Sequence, residues 1–379
     1  MGLAFIMSAS ETAVNSTPKT ARAAPAPRTG QGEGHLDRAT FGERFRQSFA
    51  DPRFEQASEQ VAVLEDIAWK NYQDGRKAPI TRKAGAGYAD PDYDVAVEWL
   101  DTKAAIDAAK EVQQAQSTPD HVLIVIASHR NDDTCPGEVS KSWRLANIAK
   151  ARLESEGTVC EVIDLSRLTS EYGIAIHPCK GCVSTAMPLC HFPCSCYPNH
   201  SLNQTGDWMN EIYTKLAAAH GLLIVTPTYW YQSPGSLKNL MDRLVCVDGG
   251  NPDPTSTHGK KAIEAKQIEL DGWDYPKHLP NRAYAVIVHG DVAGIEAQRR
   301  NLCDQLDWMG FVAAGFKGRL DRYIGYYESY AESHEALDRD QAVQDEAKMV
   351  AEALHLTIQR LRQGVDLAPA QQVDLVRPK

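Results

Sequence analysis

The chain has 379 residues, enough for one large domain or two modest ones, and its 43% hydrophobic and 24% charged content is that of an ordinary soluble globular protein. A net charge of −10 argues against a general nucleic-acid binder, because phosphate neutralisation needs Lys and Arg in excess. No apolar run approaches the roughly 18 residues of a membrane-crossing helix, and residues 3–7 are too short, and lack the basic leader, for a secretory signal. A cytoplasmic protein without a membrane partner is therefore expected.

Residues 1–36 are rich in Ala, Pro, Thr, Ser and Gly without lasting periodicity, and read as a disordered tail. Residues 37–118 read as a mostly helical extension. Phe41, Phe45 and Phe49 share one helix face, Val61, Leu64 and Ile67 another, and residues 96–116 a third helix. Residues 119–364 carry an alternation of strands and helices. The run 121–127 is short, apolar and β-branched, as in a buried parallel strand. A helix on Trp143, Ala146, Ala149 and Leu153 follows, then a second strand over 159–165. The pattern continues with a helix over 201–219, a strand over 221–226, a helix over 236–247, an insertion over 248–281, a strand over 282–289, a helix over 295–309 and a fifth strand over 311–316. Val343, Ala347, Val350, Leu354 and Ile358 line a last helix, and residues 365–379 form a C-terminal tail. Five strands alternating with helices predict an α/β fold, a doubly wound parallel sheet of order 2-1-3-4-5.

In such sheets ligands bind beyond the carboxyl ends of the strands. The loop after the first strand offers Ser128, Thr134 and Ser140 as hydroxyl donors and Arg130 and Lys141 as positive charge, and it runs into a helix N-terminus that suits a single phosphate. No dinucleotide or nucleoside-triphosphate glycine motif is present. Asp132, Asp133 and Glu138 lie in the same loop, so they must turn away from the phosphate or meet sugar hydroxyls. After the third strand comes Pro227-Thr228-Tyr229-Trp230-Tyr231, whose rings, hydroxyl and restricted backbone suit the flat isoalloxazine of a flavin.

Together, Ser128-x-Arg130, Pro227-x-Tyr229-Trp230 with Pro234, Lys238, Asp242 and Arg243, and Val288-His289-Gly290-Asp291 resemble the NAD(P)H-dependent FMN reductases of the flavodoxin-like superfamily. The resemblance covers roughly residues 119–364. It implies that Ser128, Arg130 and Ser140 bind the FMN phosphate, that Pro227, Thr228, Tyr229 and Trp230 contact the ring, and that His289 and Gly290 lie at its other edge. It also implies a homodimer or homotetramer, with Lys238, Asp242 and Arg243 in helix packing and subunit contacts.

Of nine cysteines, five fall within 18 residues: Cys179, Cys182, Cys190, Cys194 and Cys196. Any four could converge on an iron–sulfur cluster or a zinc ion. Alternatively, Cys179 and Cys182 form a redox dithiol, or all are inert core residues. The segment resembles that of iron–sulfur flavoproteins, with wider spacing. The expected function is therefore an FMN oxidoreductase. A nicotinamide, NADH or NADPH, delivers hydride to FMN, and electrons pass to a small-molecule acceptor such as a quinone or flavin. Backbone N–H groups at 228–231 or 290 stabilise the reduced ring, and no catalytic side chain is required. The insertion and the helical extension are expected to cover the exposed ring face. The alternatives are an iron–sulfur flavoprotein passing electrons to a protein partner, and a non-catalytic flavin or metal sensor.

Overall fold

The structure, a computed structural model, describes residues 22–367; the expected tails over 1–21 and 368–379 lie outside the described residues. Residues 22–37 contain no helix or strand, but Leu36 N–H donates to the Tyr72 hydroxyl (2.8 Å). Helix α1 (Arg38–Gln47), capped by Asp37, and helix α2 (Ser58–Asp74) form a hairpin. Its centre is aromatic, with Phe41 5.2 Å from both Trp69 and Tyr72, and Arg38 and Arg46 clamp the Glu65 carboxylate. A small antiparallel pair, β1 (Thr81–Lys83) and β2 (Asp94–Ala96), leads into α3 (Val97–Gln114).

The main sheet consists of β3 (His121–Ile126), β4 (Val159–Asp164), β5 (Gly221–Pro227), β6 (Ala283–Gly290), β7 (Val312–Ala313) and β8 (Arg319–Tyr323). All its pairings are parallel, in the order β4-β3-β5-β6, with β7 and β8 both alongside β6. This is the expected 2-1-3-4-5 order. Alternation along each strand divides the core in two. Val122, Ile124 and Ile126 of β3 face one layer, built from α4 (Lys141–Ser155), α9 (Tyr330–Arg339) and α10 (Gln341–Arg362). Leu123 and Val125 face the other, built from α3, α5 (Met209–Ala218), α6 (Gly235–Arg243) and α8 (Ile295–Trp308).

Two elements differ from expectation. The fifth strand is not continuous over 311–316. Gly315 takes φ 66°, a conformation that a side chain resists, and the chain turns through Phe316–Gly318 before pairing resumes at Arg319 opposite Val286. The helix expected from 201 begins only at Met209, because Asn203 and Gly206 adopt left-handed backbone. The insertion also has structure. Helix α7 (Ala262–Gly272) packs on the cysteine segment, where Glu269 accepts from Met187 N–H (3.0 Å). Asp253 and Thr255 receive the Ala89 and Asp90 N–H groups, tying the insertion to the N-terminal extension. Among the described residues no helix is long and apolar enough to cross a membrane.

Candidate functional site

Three loops at the carboxyl ends of β3, β5 and β6 meet with a fourth, after β8, around a cavity of about 160 Å³. From the β3 loop come Ser128, Arg130, Ser140, Lys141 and Ser142; from β5, Pro227, Thr228 and Tyr229; from β6, His289, Gly290 and Asp291; from the segment after β8, Ile324 and Tyr330. Of the residues the sequence singled out, Thr134, Trp230 and Tyr231 are left outside the lining; Trp230 stands on the rim. Its backbone turns to φ 48° and its ring is 88% exposed on the rim.

Asn131 fixes the β3 loop. Its side chain donates to Ser166 (2.8 Å) and Ser170 (2.9 Å), and its carbonyl receives Glu138 N–H and the Thr134 hydroxyl. Thr134 therefore closes the loop and does not line the cavity. Asp132 and Asp133 point to solvent. Glu138 is held by Arg130 (2.8 Å) and His334 (3.3 Å). Ser140 caps α4 by accepting from Trp143 N–H (3.1 Å), which leaves its own proton free to donate. The first-turn N–H groups of α4 have no intrahelical carbonyl within reach. Lys141 is buried and donates to Ser333 (2.5 Å) and Ile324 O (3.3 Å), with Tyr330 beside it; burial holds its ammonium below the usual lysine range.

The ring-side loop is braced from below. Thr228 N–H donates to His289 O (2.7 Å), and Tyr229 and Gln232 exchange backbone bonds (2.9 and 3.0 Å). The amides of Thr228 and Tyr229 are thus committed within the protein and cannot face a ligand, contrary to expectation for that part of the loop. His129, the unspecified middle residue of the Ser128-x-Arg130 motif, bonds Ser236 at the start of α6 (2.7 Å) and sets its ring against Tyr229 (5.7 Å), locking the phosphate loop to the ring loop. His289 is enclosed, with Nε2 2.8 Å from the Ser142 hydroxyl, and burial pushes its pKa down to about 3, so it is neutral. A Cβ at Gly290 would stand 3.3 Å from the Thr228 Cβ, so a side chain there would press on Thr228.

Two buried polar atoms of the cavity have no protein partner: Arg130 Nε and Thr228 Oγ1. Leaving such an atom unpaired costs about 1–3 kcal/mol, so a ligand atom that paired with either would recover that cost. They occupy the phosphate and ring ends of the lining, and hydroxyls, a guanidinium and a helix N-terminus at one end with a flat polar–apolar shelf at the other fit FMN. No residue of the N-terminal extension or the insertion lines this cavity. The segment bearing Ile324 and Tyr330 does so instead, and the sequence held no signal for it.

The cysteine segment is arranged otherwise. Among the described residues no three His, Cys, Asp or Glu side chains are gathered as ligands of one metal ion, so the expected convergence of four among Cys179, Cys182, Cys190, Cys194 and Cys196 is not present. Cys190, Cys194 and Cys196 turn into the core beside α5 and α6. Cys179 accepts from Gly181 N–H (3.4 Å). Cys182 and Cys196 bring their sulfurs to 3.5 Å, and the Cys196 side chain also hydrogen-bonds Cys194. The hydrogen bond from Cys196 lowers the Cys182 thiol to about 7. Arg243, expected in helix packing, is fully buried and forked onto Asp207 (2.9 and 2.6 Å); Lys238 and Asp242 pair on the α6 surface.

No curated protein matches the sequence. Solved structures similar to this one include RosB with the bound intermediate 8-demethyl-8-formylriboflavin-5'-phosphate, 13% identical, covering 69% of this chain and 91% of that one at a TM-score of 0.46. They also include an oxidoreductase from Corynebacterium diphtheriae (15% identity, 64% and 99% coverage, TM-score 0.36) and an NAD(P)H:quinone oxidoreductase from Methanothermobacter marburgensis (16%, 64% and 96%, 0.35). The sequence model of the NADPH-dependent FMN reductases matches residues 121–315, just over half of the 379 residues. The chain belongs to the NADPH-dependent FMN reductase family, and is an NAD(P)H-dependent FMN oxidoreductase.

Proposed function

We propose that the cavity between the β3, β5 and β6 loops holds FMN and that a small-molecule acceptor takes the electrons over the open ring face. When bound, FMN supplies the redox chemistry, accepting hydride from the nicotinamide and releasing electrons to the acceptor. The protein's part is placement. Arg130 Nε and the Ser128 and Ser140 hydroxyls donate to the phosphate, and the α4 N-terminus and Lys141 add positive potential. Pro227 and Tyr229 flank the ring, Thr228 Oγ1 hydrogen-bonds one of its polar atoms, and Gly290 lets it approach the backbone. Neutral His289 fixes the Ser142 hydroxyl and the β5 loop without placing a second cation beside the ring.

The observation that carries this reading is the pair of partnerless buried atoms, Arg130 Nε and Thr228 Oγ1, in one cavity. For the acceptor, the exposed Trp230 and Tyr231 on the rim supply stacking surface for a planar molecule such as a quinone or a second flavin. We place the protein in the cytoplasm, a reading that rests on its composition, and as a homodimer or homotetramer, which rests on the sequence resemblance. Titrating cofactor-free protein with FMN and then adding NADPH without air tests the core proposal. Saturable binding followed by bleaching of the flavin band is expected; folded protein that refuses FMN would overturn it.

A further inference from the structure

The cysteine segment is separate from the FMN cavity, and none of its residues lines that cavity. It carries a second chemistry. We propose that Cys182 and Cys196 form a thiol–disulfide exchange site for low-molecular-weight disulfides, with Cys182 attacking and Cys196 resolving.

The two sulfurs stand 3.5 Å apart although 14 residues separate them. Gly181 takes a left-handed turn (φ 62°) into the short turn Cys182–Ser184, which presents the Cys182 sulfur to Cys196. The partners differ in access. Cys182 is half-buried at the protein surface, whereas Cys196 is buried. A cation completes the site: Lys260, from the insertion, sets its ammonium 3.7 Å from the Cys182 sulfur and is steadied by the Leu189 carbonyl (2.6 Å). A positive charge beside the accessible sulfur favours the thiolate, the form that attacks a disulfide. A metal ion at the same sulfur would have to share its surroundings with that ammonium.

The exchange balances in two steps. The Cys182 thiolate attacks one sulfur of a small disulfide RS–SR, forming a Cys182–SR bond and expelling RS−. The Cys196 sulfur then attacks the Cys182 sulfur, giving the Cys182–Cys196 disulfide and expelling the second RS−. Both protons of the protein thiols end on the two RSH products; the protein pair is oxidised by two electrons and RS–SR is reduced. The reverse, driven by excess thiol, restores the pair.

The test uses the full-length, FMN-loaded protein equilibrated with oxidised and reduced glutathione, thiol-blocked, and mapped by peptide mass spectrometry. A Cys182–Cys196 linkage that forms in the oxidised buffer and disappears in the reduced one is expected. Cys196→Ser should trap a glutathione adduct on Cys182, and Lys260→Met should slow the first step several-fold. Exposed Cys135 serves as the control thiol. If Cys135 is modified while Cys182 and Cys196 stay free, or if the linkage joins Cys179 to Cys182, the proposal falls. It falls equally if elemental analysis finds stoichiometric metal that protects both thiols from blocking. Should Cys196→Ser not fold, the wild-type map alone decides.

Discussion

The FMN cavity and the cysteine segment both follow parallel strands of one sheet, yet they obey the sequence differently. Each cavity loop leaves the end of a paired strand and enters a helix, so Pro227 stands opposite His289 through the ladder register itself. The cysteine segment runs from β4 to α5 through turns, with 44 positions between Asp164 and Met209. There, partners come from afar: Cys182 meets Cys196, 14 residues on, while Cys179 accepts from the Gly181 N–H. Spacing translates into geometry beside the end of a paired strand, and loses that meaning where a long segment sets its own path.

The sharpest way to break the comparison is to remove the anchor that joins the cysteine segment to α6. Asp207→Ala leaves the buried Arg243 guanidinium without its carboxylate, since both side chains are fully enclosed. The expected loss is about 3–5 kcal/mol of unfolding free energy in denaturant titration. On the cavity side, Arg130→Ala removes the charge-assisted bond proposed for the phosphate. FMN should bind about 10- to 100-fold more weakly by fluorescence titration, following the roughly 1.5–3 kcal/mol of such a bond.

His289 gives the cavity a pH signature of its own, beside those of other buried imidazoles such as His191 and His278. Its folded pKa lies near 3, below the ordinary 6.5 of the unfolded chain. Below pH 6.5 the unfolded form therefore takes up a proton that the folded form refuses, and stability is lost as the pH falls from 6.5 towards 3. From pH 7 to 5 its share of the loss is on the order of 2 kcal/mol, and His289→Gln should reduce the total loss by that amount in denaturant melts at the two pH values, leaving the shares of His191 and His278. The smallest effect is expected at Trp230, which is 88% exposed. Trp230→Ala should change stability by less than about 0.5 kcal/mol and leave FMN affinity alone, while raising the KM for a planar acceptor in steady-state assays.

The sheet was legible because β3, β5 and β6 are continuous buried runs that only a parallel sheet covered on both faces can accommodate. Most of the cavity was legible for the same reason: Ser128, Arg130, Thr228 and Gly290 sit at or just beyond strand ends. What stayed hidden depended on backbone signs and distant packing. Trp230 leaves the shelf through a left-handed turn that its residue type does not advertise. Tyr330 and Ile324 reach the cavity from the far end of the chain because Gly315 breaks the last strand and β8 restarts it. The committed amides of Thr228 and Tyr229 depend on Gln232 and on the ladder to β6, which no local pattern encodes.

The ties from Lys141 to the carbonyl of Ile324 and the hydroxyl of Ser333 have a practical corollary for anyone dissecting the chain. The family match ends at 315, ahead of both. A fragment trimmed to that boundary would lack the edge strand and the wall that steadies the lysine, so the smallest autonomous coenzyme carrier must extend through the terminal helix.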